Sequence, residues 1–90
     1  MSLLDNKSGI VTGSGQGIGR AIALSYAKEG ARVVVSDIND EMGEETVQLI
    51  TAAGGTAVFV HCDVSNEESV KALVDAALQH LGRLDIACNS

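Results

Sequence analysis

Short apolar runs alternate along this chain with stretches in which apolar residues recur every three or four positions. The first run, Gly9–Thr12, is entered from Lys7. From about Ile18 to Glu29, the residues Ile18, Ile22, Ala23, Tyr26 and Ala27 keep helical spacing, and Gly30 is a natural stop. Ala31–Ser36 reads ARVVVS, an uninterrupted β-branched run that suits a strand buried on both faces. A second helix is predicted from Asn39 or Asp40, either of which can cap it. Asp40, Glu41, Glu44 and Glu45 crowd its first turns, where the helix dipole favours acids, and Gly54-Gly55 ends it. Thr56–His61 is a third strand. Ser65 followed by Glu68 predicts a capping box opening a third helix, whose stripe is Val70, Leu73, Val74, Ala77 and Leu81 and whose stop is Gly82. Asp85–Asn89 is a last short strand.

The resulting order, β-α-β-α-β-α-β, supplies a helical crossover between each pair of strands, as parallel pairing requires. With right-handed crossovers it predicts a doubly wound α/β sheet. The absence of proline fits central, fully paired strands. Ser8-Gly9, where apolar residues are expected, predicts a slightly weakened first strand.

Ninety residues make one small domain, and a composition 46% hydrophobic and 20% charged is that of an ordered globular chain. The net charge of −6, with only six scattered basic residues, argues against nucleic acid as a partner. No apolar run approaches a membrane span, and MSLLDNKS lacks a signal-peptide pattern, so the expected location is cytoplasmic. Cys62 and Cys88 lie in apolar contexts without ligand-like spacing and read as two reduced, buried thiols. No metal site is expected.

The strongest chemical signal is T-G-S-G-Q-G-I-G, Thr12–Gly19, between the first strand and the first helix. Amides at a helix N-terminus point outward and carry partial positive charge. Glycines at 13, 15, 17 and 19 remove the Cβ atoms that would keep a pyrophosphate away. The spacing is neither G-x-G-x-x-G nor a Walker loop; it is T-G-x-x-x-G-x-G. The alternative is a flexible glycine-rich turn.

Asp37 follows the second strand, beside that loop in a parallel sheet. An acid there accepts from an adenosine ribose hydroxyl and repels a 2′-phosphate. Gln16 and Ile38, where a basic clamp for that phosphate would stand, are neutral. NAD is therefore expected over NADP. The alternative is that Asp37 only caps a turn with Asn39 and Asp40.

TGSGQGIG, SDI at 36–38, CDVS at 62–65 and LDIACNS at 84–90 together resemble the short-chain dehydrogenase/reductase family over its N-terminal half. The resemblance implies a Rossmann-type doubly wound parallel sheet of strand order 3-2-1-4, ending here after the fourth strand. It also implies that Gly13, Gln16, Gly17, Ile18 and Gly19 wrap the pyrophosphate and nearby ribose. Asp37 would hold the adenine ribose, with Ile38 next to it among the cofactor-binding residues, Asp63 and Val64 would meet the adenine ring, and Asn89 would steady the central strand near the cofactor. Asp63 reads otherwise as a turn acid before a helix. Ser90 stands where the family has a second Asn.

The family's catalytic Ser, Tyr-x-x-x-Lys and further Asn belong to its C-terminal half, so no catalytic residue is assigned. Tyr26, with Gly30 four positions on, reads as core. His61 and His80 have no carboxylate partner that spacing can place. The segment reads as the N-terminal part of a longer enzyme, expected neither to catalyse nor to bind NAD well alone. The resemblance implies hydride transfer between nicotinamide and an alcohol or carbonyl substrate, in a dimer or tetramer. The alternatives are a non-catalytic, redox-sensing dinucleotide module and, less favoured by the four-glycine loop, an S-adenosylmethionine-binding methyltransferase fold.

Overall fold

A computed structural model describes residues 6–89. The sequence readings of the first five residues and of Ser90 lie outside that range. The elements are β1 (Ser8–Thr12), α1 (Gly17–Lys28), β2 (Arg32–Asp37), α2 (Asp40–Ala52), β3 (Thr56–His61), α3 (Glu67–Leu81) and β4 (Ile86–Asn89). All three strand pairs are parallel and the sheet order is β3-β2-β1-β4, as the resemblance implied.

Side chains alternate across the sheet and divide the core into two layers. Val11, Val33 and Val35 pack under α1 and α2 with Ala23 and Ile50. Ile10 and Val34 pack on the opposite face with Cys62, Leu73, Ala77 and Leu81 of the α3 side. Val33, Val34 and Val35 are all 0% exposed, which is why the β-branched run shows no alternation. The helices change face because the chain runs outward from β1 to β3 and then returns to pair β4 with β1. This places a topological switch point at β1, whose carboxyl end carries the glycine loop. Both cysteines are free; Cys62 is buried, but Cys88, on a strand paired only with β1 among the described residues, is half-buried rather than buried.

Two local expectations change. The third helix is capped by Asn66, whose side chain accepts from the Ser69 N–H, and not by Ser65. Asp63 takes both the Ser65 N–H and hydroxyl in a tight turn, so Ser65 is spent before the helix starts. Ile18, assigned to the apolar stripe of α1, is 77% exposed, because the buried face of α1 runs through Gly19 and Ala23 instead.

Ser8 and Gly9 join β1 to β4. The Ser8 N–H donates to Asp85 Oδ2 at 3.0 Å, the Asp85 N–H donates to the Ser8 carbonyl at 2.9 Å, and Arg32 donates to the Ser8 hydroxyl at 2.9 Å. A methyl at Gly9 would lie 3.3 Å from Ile86 Cβ, so its bare Cα lets β4 sit close. The Arg83 guanidinium, and after it the Ser8 N–H, hold the Asp85 carboxyl below its ordinary value.

A folded-state pKa below the unfolded one means that this carboxylate stabilises the fold above the ordinary value of about 3.9 and that the effect disappears as pH falls through the lowered value. Asp85→Asn in the full-length protein is therefore expected to lower the urea midpoint at pH 7 and to flatten its decline between pH 5 and 2. An unchanged acid slope would remove Asp85 from the anchor.

Candidate functional site: the carboxyl edge of the sheet

The loop after β1 enters α1 through Gln16, an extended N-cap with no side-chain cap, and the first turn of α1 contains no acid. The Arg20 N–H is bonded to the Gln16 carbonyl, but Gly17, Ile18 and Gly19 precede the first residues able to find an acceptor within the helix. The other two helices differ. Asn39 caps α2 and Asn66 caps α3, each accepting a backbone N–H, and each helix begins with two acids. Only α1 presents an uncapped, acid-free N-terminus among the three.

The glycines keep that end bare. Gly17 has φ +60°, a left-handed conformation, and a Cβ there would point into open space in front of the helix. Gly19 is needed for contact: a methyl would overlap the Gly13 carbonyl. The donor set and the missing side chains fit a pyrophosphate.

Asp37 ends β2 beside this loop. Its Oδ2 accepts the Gly15 N–H at 2.8 Å and its Oδ1 accepts the Asn39 N–H at 2.9 Å. It therefore both closes the turn into α2 and clips the loop to β2. A carboxylate has about four acceptor positions, so these two bonds leave capacity for ribose hydroxyls. Ser14, fully buried, fastens the loop to β2 a second time. Its N–H donates to the Ser36 carbonyl at 3.0 Å, and its hydroxyl accepts the Ser36 N–H at 2.9 Å.

Beyond β3, the Ser65 hydroxyl, and then the Ser65 N–H, hold the Asp63 carboxyl below its ordinary value, so it stays an ionised acceptor. Among the described residues, three of the five exposed large apolar side chains stand along this edge: Ile18 at 77%, Ile38 at 62% and Val64 at 54%. They follow β1, β2 and β3 respectively. Asn89 pairs with Thr12 across β1 and β4, which places it at the same edge.

The match to known proteins decides the family. The model of the short chain dehydrogenase family matches residues 7–90. The chain belongs to the short-chain dehydrogenases. It is 45% identical over 87 residues to the 7alpha-hydroxysteroid dehydrogenase of Escherichia coli (strain K12), covering 97% of this chain and 34% of that protein. It is 49% identical over 88 residues to glucose 1-dehydrogenase 2 of Bacillus subtilis (strain 168), again covering 97% of this chain and 34% of the relative. A solved 7alpha-hydroxysteroid dehydrogenase complexed with NADH and 7-oxo glycochenodeoxycholic acid superposes with a TM-score of 0.92 at 45% identity, over 93% of this chain and 33% of that one. This short-chain dehydrogenase segment thus spans about a third of the length of the relatives it matches.

Sequence reasoning missed one pair and three supports in this segment. His61 does have a carboxylate partner: its Nδ1 lies 2.6 Å from Asp40 Oδ1, because the end of β3 meets the start of α2. Ser14, Arg20 and Thr46 hold the loop from behind. The available signal was Thr46, a lone hydroxyl in helical register with Gly43 and Ile50 on the buried face of α2. Among the described residues, no group of three or more His, Cys, Asp or Glu side chains could hold a metal, and no helix is long and apolar enough to cross a membrane.

The two glycines should separate on substitution. Gly17→Ala in the full-length protein is expected to lose about 1–2 kcal/mol of stability from its left-handed backbone and at least about tenfold in dinucleotide affinity, equivalent to about 1.4 kcal/mol. Gly19→Ala should lose more stability, because the helix must move away from Gly13. Urea unfolding with cofactor titration checks both; full affinity in Gly17→Ala would mean the space before α1 is not the phosphate site.

Proposed function

We propose that this segment is the NAD-binding part of an oxidoreductase that moves hydride between a nicotinamide cofactor and an alcohol or carbonyl substrate. The observation that carries the proposal is the direct bond from the Gly15 N–H to Asp37, beside an uncapped helix N-terminus. A set of N–H donors for phosphate and a carboxylate acceptor for ribose hydroxyls then stand on adjacent strand ends. The relatives support the chemistry: two are dehydrogenases by name, and the solved hydroxysteroid dehydrogenase carries NADH. They favour the oxidoreductase over a non-catalytic dinucleotide sensor.

In this reading the N–H groups at Gly17, Ile18 and Gly19, with Gly13 and Gln16, hold the pyrophosphate by hydrogen bonds and helix dipole. Asp37 accepts from the adenosine ribose, Ile38 and Val64 flank the adenine, and Asp63 accepts from its amino group. Asn89 supports the sheet where the nicotinamide half passes. The cofactor supplies hydride chemistry when bound. This chain's residues bind and orient it, and the proton-handling groups belong to the remaining two-thirds of a full-length enzyme, which acts as a dimer or tetramer.

Asp37 also sets the choice of NAD. Its charge repels a 2′-phosphate, and neither Gln16 nor Ile38 offsets it. Asp37→Ala in the full-length protein is expected to raise the NAD dissociation constant about tenfold, the worth of one charge-assisted hydrogen bond, and to lower that for NADP. Titrating both nucleotides checks this. Unchanged affinity for both would leave Asp37 as a turn residue only.

A further inference from the structure

Arg20 leaves the first turn of α1 and lies against α2. Its Nη1 meets Glu45 Oε1 at 2.8 Å, its Nη2 donates to the Met42 carbonyl at 3.2 Å, and its Nε donates to Thr46 Oγ1 at 2.9 Å. Thr46 is 0% exposed. Its hydroxyl has a single proton and three carbonyls in reach: Ser14 at 2.9 Å, and Gly15 and Met42 at 3.3 Å. A helical threonine commonly bonds back to the carbonyl four residues earlier, here Met42. Arg20 works against that choice twice. It already donates to the Met42 carbonyl, and its Nε–H fills the acceptor side of the Thr46 hydroxyl. The proton is thereby turned to the nearest acceptor, the Ser14 carbonyl.

That carbonyl shares a peptide plane with the Gly15 N–H. In a trans peptide the two point in opposite directions. The plane is therefore held at both ends, its oxygen by Thr46 and its N–H by Asp37. The next carbonyl, of Gly15, faces the same hydroxyl. Rotation of the first plane would take the Gly15 N–H away from Asp37 and set a partially negative oxygen against that carboxylate.

We infer that the Arg20–Thr46 pair is a positioning device for the phosphate loop, holding the Ser14 and Gly15 carbonyls against α2 and so keeping the Gly15 N–H on Asp37 and the loop in its binding shape. The inference rests on the loop being the pyrophosphate site. Because α2 begins three residues after Asp37, one helix fixes the ribose acceptor and, through Thr46, the loop carbonyls.

The test uses the full-length protein with Thr46→Val, which keeps shape and removes the hydroxyl, and Thr46→Ser, which restores it. Amide exchange of Gly15 is measured without cofactor, and the NAD dissociation constant is measured separately. Thr46→Val is expected to speed Gly15 exchange and weaken NAD, each about tenfold, with β2 amides still protected. Thr46→Ser should recover both to within about twofold of the parent. Arg20→Lys, which keeps the charge beside Glu45 but loses the fork, should shift both in the same direction by about threefold. Unchanged Gly15 exchange in Thr46→Val overturns the inference, as does faster exchange with unaltered NAD affinity. A parent protein that binds neither NAD nor NADP overturns the dinucleotide reading instead, while the cofactor-free exchange still decides whether Thr46 holds the loop.

Discussion

The first N–H groups of α1 lack acceptors in the helix, and much of this structure keeps that end open. Helix termini are ordinarily closed by a side chain, as Asn39 and Asn66 close α2 and α3. At α1 the capping position is Gln16, whose side chain makes no such bond, and the residues that follow are Gly-Ile-Gly. The unmet hydrogen-bonding capacity sits at a topological switch point, where a parallel sheet gathers the carboxyl ends of its strands. Gly19 brings the helix against Gly13, Ser14 fastens the loop to β2, and Asp37 holds Gly15. Each contact fixes backbone around a space and leaves the space itself clear.

The sheet is secured at its other end by different chemistry. Asp85, Ser8, Arg32 and Arg83 bind the amino ends of β1, β2 and β4 together through side chains. The middle of the sheet is apolar on both faces, with Val33, Val34 and Val35 fully enclosed. Polar anchoring at one edge, dry packing in the centre and open donors at the opposite edge give the molecule a binding side that the fold does not need for its own cohesion. Gly17 stands on the open side with its left-handed backbone, whereas Gly19 sits at the contact with Gly13.

What could be read from the sequence was whatever a single residue type dictates locally. Glycine at 17 and 19 and an acid at 37 follow from backbone angle, close approach and charge, so loop and acid were legible together. The β-branched run at 31–36 announced a strand buried twice over. The contacts that escaped are those in which either of two neighbours could do the same job, or in which the partners are far apart in sequence. Ser65 and Asn66 both make good caps, and Asp63 decided between them by engaging Ser65 first. Arg20 reaches Thr46 across 26 residues and His61 reaches Asp40 across 21, pairings that exist only once α2 is docked.

The most direct measurement is a crystal structure of the full-length protein with NAD bound. Pyrophosphate oxygens are expected about 2.7–3.2 Å from the backbone nitrogens of Gly17–Gly19, with the adenosine ribose on Asp37 and the Ser14 carbonyl still turned to Thr46. A dinucleotide seated elsewhere, or a protein side chain capping α1 in its place, would contradict that expectation.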